Sequence, residues 1–415
     1  MTAAPETRPR LPWGLVVLLV LAMGMNFLDR GNLAVAAPVL GPQLGIASWR
    51  MGILLSAFFW TYVVSQIAGG SLVDRIEVRW VYAAGYFLWS AATLFSGVMG
   101  SFGGLLSMRL LLGVGESVAY PATSRVLAAV IPEERRGLAN SLVDLGARLG
   151  PAAGTVFGAL VAARFGWRAL FLVTGAVGMI WLVPWLVAAP RTLVPRRRQE
   201  RSAGLSWSQL LHWKSVWGTC GGLCGANYAW YFLLNWMPSY LVRERHFSMN
   251  SLAFWGAMPY LSMAVSSLSG GILADRWIAR GRNAVAVRRG FLVTGLALTA
   301  LFLPLVLIPS VVWGVAGLLL ACFAFGIYAS ILFSLTQTLA GPEAAGRWTG
   351  LQNACGNVAG ILSPAIAGWL VERTGSFSAA FLAASVACLL GSASFGFLVR
   401  EKGGPRPNEG LATAA

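Results

Sequence analysis

Ser65-Gln-Ile-Ala-Gly-Gly-Ser-Leu-Val-Asp74-Arg75 returns about two hundred residues later as Ser266-Ser-Leu-Ser-Gly-Gly-Ile-Leu-Ala-Asp275-Arg276. Each copy places two glycines in an apolar run that ends on an acid followed by a base. Other echoes keep the same order: Leu149-Gly-Pro151 with Leu362-Ser-Pro364, and Gly166 to Phe171 with Gly375 to Phe381. A duplicated unit is implied. Around these landmarks apolar segments fall at 13–38, 50–72, 80–100, 103–131, 138–163 and 168–189, then at 215–241, 252–273, 288–308, 312–338, 349–371 and 378–399. Each is long enough for a bilayer core, which takes roughly 20 residues of helix.

Composition agrees with this count. Hydrophobic residues make up 57% of the 415-residue chain and charged ones 11%, against about 45–50% and 25% in soluble domains. The sequence therefore predicts an all-α integral membrane protein of twelve transmembrane helices in two six-helix halves. Its expected parts are an N-terminal half (1–189), a connector (190–214), a C-terminal half (215–400) and a tail (401–415). The first apolar segment is too long for a signal peptide and contains Asp29 and Arg30, so it reads as a span and not a cleaved leader.

The net charge of +16 follows the loops. The tails and the even-to-odd connectors hold 21 of the 31 Lys and Arg, the opposite loops hold 6, and four lie inside spans. That bias places both termini and the connector in the cytoplasm of a bacterial inner membrane, with anionic lipid as an aid and no nucleic-acid partner. The five cysteines lie in apolar segments without metal-ligand spacing and read as small core residues; His212 and His246 lie at span ends. No metal is expected. Absence of a His-Glu-x-x-His, Gly-x-Ser-x-Gly or phosphate-binding Gly-x4-Gly-Lys-Ser/Thr pattern argues against an enzyme or an ATP-driven pump. Two facing halves with a site near the midplane read as a rocking transporter, expected to be monomeric and without a cofactor.

Gly-x-x-x-Asp-Arg after span two, Arg109-x-x-x-Gly113-x-Gly115 in span four and Gly150-Pro151-x-x-Gly154 in span five resemble the major facilitator superfamily over nearly the whole chain. Within it, Asn26-Phe-Leu-Asp29-Arg30-x-Asn32-Leu, Gly115-Glu116-Ser-x-x-Tyr-Pro121, Tyr231-Phe-x-x-x-Trp236-x-Pro238-x-Tyr240-Leu and Gly356-Asn357-x-Ala-Gly360 are similar to the anion:cation symporter family. Its carriers of galactonate, hexuronates and glucarate, and of tartrate, phthalate and related acids, imply the major facilitator fold with pseudo-two-fold symmetry.

Ionisable residues inside spans are expensive and mark pathways or pair with one another. Here they are Asp29 and Arg30 in span one, Arg109 and Glu116 in span four, Arg148 in span five, and Arg125 and Asp144 nearer span ends. Arginine suits a carboxylate ligand, because its planar donor fork fits one and its charge cannot be released. Carboxyl groups withdrawn from water can take up and release protons, which makes Asp29 and Glu116 the expected proton carriers. The alternative is a purely structural network in which they neutralise Arg30 and Arg109.

The resemblance implies the same protonation sites, with Arg30, Tyr62 and Arg109 holding substrate or coupling it to protons, and Ser334, Thr336 and Asn357 meeting substrate hydroxyls. Gly146-Ala-Arg148-Leu-Gly150 stands where the galactonate carriers have a Gln-containing segment. Arg148 would there favour a second carboxylate, or pair with Asp144 or Glu116. Tyr231 in span seven offers a ring and a hydroxyl, and Pro238 permits bending at an outer gate. Asn353 and Asn357 lie one turn apart on span eleven, with Gln352 beside them. Gly70, Asp74, Arg75, Asp275 and Arg276 form an expected cytoplasmic latch for the outward-facing state, or a plain topology signal. Together these predict proton-coupled uptake of a small organic anion, with a sugar acid first, an aromatic or dicarboxylic acid second, and proton-antiport efflux as the other transport reading.

Overall fold

The computed structural model describes residues 13–131, 133–189 and 207–400. Its first half comprises α1 (Trp13–Gln43), α2 (Ser48–Arg75), α3 (Val78–Ser96), α4 (Phe102–Glu116), α5 (Ala119–Val130) and α6 (Glu133–Ala188). After a short α7 (Trp207–Leu211) the second half comprises α8 (Lys214–Arg243), α9 (Met249–Trp255), α10 (Met258–Ala279), α11 (Ala284–Phe302), α12 (Val311–Ala329), α13 (Leu332–Thr374) and α14 (Ser378–Ala393). No strand occurs among the described residues.

All twelve expected apolar segments are helical, and helices and spans differ only in where the chain breaks. Among the described residues eight stretches are long and apolar enough by themselves to cross a membrane, one of them, 145–188, covering spans five and six together. Those two spans are divided inside α6 at Gly166, where φ is 81° and ψ 164°, a conformation that glycine takes without a side-chain penalty. α13 likewise folds back on itself. Thr336 Oγ1 donates to Gln352 Oε1 at 2.7 Å, whereas sixteen residues of straight helix would separate them by about 24 Å. Span four is interrupted between α4 and α5, since Pro121 has no N–H to give the carbonyl of Ser117. The second half repeats this interruption at Ser330-Ile331, between α12 and α13.

Small residues set the distances between helices, as expected where lipid gives no hydrophobic drive to association. Gly146, Gly150 and Gly154 form one stripe of α6 against α1. A Cβ added at Gly146 would lie 2.5 Å from the Val20 carbonyl oxygen, and one at Gly150 2.6 Å from that of Gly24. Gly113 presses α4 onto the Phe58 carbonyl of α2, and Gly115 presses it onto Trp89 of α3. The glycines of the Arg109-x-x-x-Gly113-x-Gly115 motif are thus contact points that fix where Glu116 stands.

The halves meet at the end of the bundle that carries the α1–α2, α8–α9 and α13–α14 turns. Gly52 of α2 sits against Pro364 and Gly368 of α13. Arg243 Nη1 donates to Ser48 Oγ at 3.1 Å, and Glu372 accepts the Ser48 N–H at 2.9 Å. Deeper in, the Phe59 ring packs on Gly360 and meets the Tyr231 ring edge-on at 4.5 Å. Pro238 leaves α8 unbroken.

Candidate functional site

Below the Phe59–Tyr231 contact lies a cavity of about 370 Å³ bounded by both halves. Phe27, Arg30, Tyr62, Gln66, Tyr120 and Ala147 line it from the first half. Asn227, Trp230, Tyr231, Tyr260, Phe325, Tyr328, Phe333, Asn353 and Asn357 are prominent on the wall from the second. The wall is mostly aromatic, with amides and hydroxyls set into it. Arg30 is its one cation among the described residues.

Arg30 reaches this wall from α1, and its Nε donates to Glu116 Oε2 at 2.7 Å. Both side chains are buried, and no other ion pair occurs among the described residues. The guanidinium carbon lies 4.7 Å from the Phe27 ring centre and 4.8 Å from those of Phe58 and Tyr62. A carboxylate on one side and aromatic faces on the others replace the water that this cation gave up. The break after Glu116 ends α4 at the level of Arg30, so the local reason for the kink is also the reason the pair can form.

Asp29, one position earlier on α1, faces elsewhere, as successive helical residues must. Its Oδ1 accepts from Asn32 Nδ2 at 3.0 Å, and the same amide donates to Thr174 Oγ1 at 3.0 Å. Asp29 is buried and is not part of the cavity wall. Arg109 is also behind the wall. Its Nε donates to the Leu54 carbonyl at 3.3 Å and its guanidinium lies 5.5 Å from the Phe58 ring centre. Phe58, which the sequence did not single out, therefore serves two arginines.

On the opposite wall the Tyr231 hydroxyl donates to Asn357 Oδ1 at 3.1 Å, closing the cavity beneath Phe59. Asn353 shares the wall one turn away. Ser334 and Thr336 lie off the wall, contrary to their expected place at substrate hydroxyls. Thr336 is fully buried and committed to Gln352, and the Ser334 carbonyl accepts from Arg288. Asp275 and Arg276 are exposed at the end of α10. Gly70, Asp74, Arg75 and Arg148 are placed in helices, but their side chains lie outside the described residues. No cluster of metal-ligating side chains occurs among those described.

Sequence reasoning missed Gln66, Tyr120, Tyr260 and Tyr328 on the wall. Each is a polar-tipped residue in a span, a signal present in the sequence but shared by packing residues and interface anchors.

The sequence matches the family model described as Major Facilitator Superfamily over residues 19–364 and 283–414. It is 32% identical to the "Probable sulfoacetate transporter SauU" of Cupriavidus necator, over 86% of each chain. It is 28% identical to the D-galactonate transporter of Escherichia coli O6:H1, over 93% of this chain and 95% of that one. Among solved structures it resembles a bacterial homologue of the human lysosomal transporter Spinster in an inward-facing and occupied conformation. The TM-score is 0.79 at 17% identity, covering 94% of this chain and 97% of the other.

Proposed function

This chain belongs to the Major Facilitator Superfamily, and on that premise we propose that it carries a small organic anion across a bacterial inner membrane together with protons. The observation that supports this most directly is Arg30, the cation that the described residues bring to the cavity wall, held from behind by the carboxylate of Glu116 at 2.7 Å.

A substrate carboxylate in the cavity competes with Glu116 for the same guanidinium. When substrate takes Arg30, Glu116 loses its counter-charge in a water-poor place and a proton restores neutrality. Substrate and proton thereby load together, and discharge of either frees the other. Asp29, on the same helix and bridged to α6 through Asn32 and Thr174, is the second proton carrier in this reading. With both termini in the cytoplasm the closed end faces outward, and the described arrangement is the inward-open one. Two protons moving with a monoanion carry one net positive charge, worth roughly 2.3 kcal/mol per 100 mV.

Within the organic anions, the galactonate carrier among the relatives supports a sugar acid, whose hydroxyls Asn227, Asn353 and Asn357 can meet. A second reading has its own support. Among the described residues the wall carries many rings and one cation, a combination that fits an aromatic monocarboxylate. Purified protein in proteoliposomes tests both layers. Uptake that ignores both a pH gradient and a membrane potential sinks proton coupling. A competition panel of aldonates, uronates, aldarates and aromatic acids decides the substrate class.

A further inference from the structure

The second half carries another cleft, lined by none of the residues of the central cavity. It has a volume of about 510 Å³ and lies in the gap between α10 and α11, with Ile327 of α12 as its floor. Trp277, Val287 and Phe291 give it apolar walls, with the Trp277 and Phe291 rings edge to face at 5.4 Å. Arg282 stands at its mouth, its guanidinium 4.7 Å from the centre of the Trp277 ring.

Three features identify an occupant. First, the cleft opens among side chains that face lipid in a membrane-spanning bundle: Leu268, Ile272 and Leu273 on α10 and Leu298 on α11 are exposed. Second, its mouth lies at interfacial depth, because a tryptophan beside arginines is the usual residue set where hydrocarbon meets headgroups. Third, the charge around the mouth is strongly one-sided. Arg282 lines the cleft and Arg276 and Arg280 are exposed on the same turn of chain against a lone acid, Asp275, with no carboxylate partner for any of the three among the described residues, while Arg288 and Arg289 on α11 turn to Ser334 and Val399. The positive end of the α11 dipole adds to the same field. Gly281, at φ +84°, makes the tight turn that brings Arg282 back over Trp277.

We propose that this cleft binds one anionic phospholipid of the cytoplasmic leaflet, its phosphodiester on Arg282 and the start of α11, and one acyl chain between Trp277 and Phe291. A guanidinium fork matches a phosphate's oxygens, and the apolar walls give the chain a place that a free anion would leave empty. The site uses the arginine-rich stretch that follows the second Asp-Arg motif. It is independent of what the central cavity carries.

The test uses the full-length protein in detergent, with thermal unfolding read as phosphatidylglycerol, phosphatidylcholine or glycerol phosphate is added. Co-purified phosphatidylglycerol is measured in parallel by native mass spectrometry. Phosphatidylglycerol is expected to raise the unfolding temperature by several degrees where phosphatidylcholine does not. Arg282→Ala should remove most of that shift and the retained lipid, and Arg282→Lys should keep part of both. Thr294→Trp, which fills the cleft and leaves every charge in place, should also lose the retained lipid. Equal shifts from the two lipids, or an Arg282→Ala protein that responds like wild type, overturn the proposal. So does glycerol phosphate reproducing the full shift, since the ligand would then be a free anion.

Discussion

The carboxylate of Glu372 accepts the backbone N–H of Ser48 at 2.9 Å, so a residue of one six-helix half caps the first turn of α2 in the other. The N-cap position itself, Ala47, offers no side-chain acceptor. The helix end is completed only while the halves are closed there. Carboxylates at helix N-termini contribute about 0.5–2 kcal/mol, and 1.4 kcal/mol is a factor of about ten in a conformational equilibrium. Glu372→Ala should therefore open this end. A cysteine placed at Met51, in the cleft beneath the cap, should react with an impermeant maleimide roughly ten-fold faster than when Glu372 is present. Unchanged labelling would show that the cap does not hold the halves.

Removing one member of a buried ion pair leaves the other uncompensated, at about 3–5 kcal/mol, whereas replacing both by apolar residues of similar size is often neutral. Arg30→Met and Glu116→Leu should each lower the unfolding temperature strongly, and the double variant should recover most of the loss. Additive losses would show that the pair is not coupled. Glu116→Gln should separate the functions: exchange of bound anion across the membrane persists, but accumulation against a gradient no longer responds to external pH.

Asn32 joins Asp29 to Thr174. In Asn32→Leu the carboxyl loses its donor, costing about 1–3 kcal/mol for the stranded group, while the Thr174 hydroxyl keeps the Leu170 carbonyl. Thr174→Val removes the far contact and a bond to the Leu170 carbonyl, which its helix already engages, and should cost about 1 kcal/mol. Thermal unfolding in detergent ranks the two, and the reverse order would contradict the bridge.

A side chain at Gly146 meets backbone and not a movable group, since its Cβ would stand 2.5 Å from the Val20 carbonyl oxygen. Gly146→Val should destabilise by about 1–3 kcal/mol or more through forced separation of α1 and α6. Gly350→Val, exposed and with nothing within 4 Å, is the control and should be nearly silent.

Amides and rings on the cavity wall make opposite demands of the substrate. If hydroxylated acids are carried, Asn357→Ala should weaken their binding ten-fold or more, because a buried hydroxyl loses its partner. If aromatic acids are carried, Trp230→Ala should be the costlier change. A thermal-shift titration of both variants with both ligand classes reads the difference.

The repeat around Asp74-Arg75 and Asp275-Arg276 carried the architecture into view before any coordinate, because helices in lipid must be long, apolar and regularly spaced. Charge was as legible: an ionisable residue in hydrocarbon is so costly that Arg30 and Glu116 stand out by rarity alone. Their pairing was less so. The sequence set Asp29 and Glu116 against Arg30 and Arg109 without saying which acid meets which base; the kink at Ser117 turns Glu116 toward Arg30 on another helix. Thr336 was similarly misplaced, because α13 doubles back and its hydroxyl meets Gln352. Aromatic wall residues such as Tyr260 and Tyr328 had no distinguishing mark, since aromatic residues make up 12% of this chain and only packing decides which ones face the cavity.

Among the described residues, the charged side chains buried mid-span belong to the first half, and the second half's spans present neutral amides, hydroxyls and rings to the cavity. Under the proposed function, proton handling and the hold on the carboxylate fall to the first half, and recognition of the rest of the ligand falls largely to the second. Redecorating the neutral module can retune what is recognised while the charged one keeps its wiring, so a graft of α8 and α13 surface residues from a carrier of a different acid should transplant selectivity and leave the driving force intact.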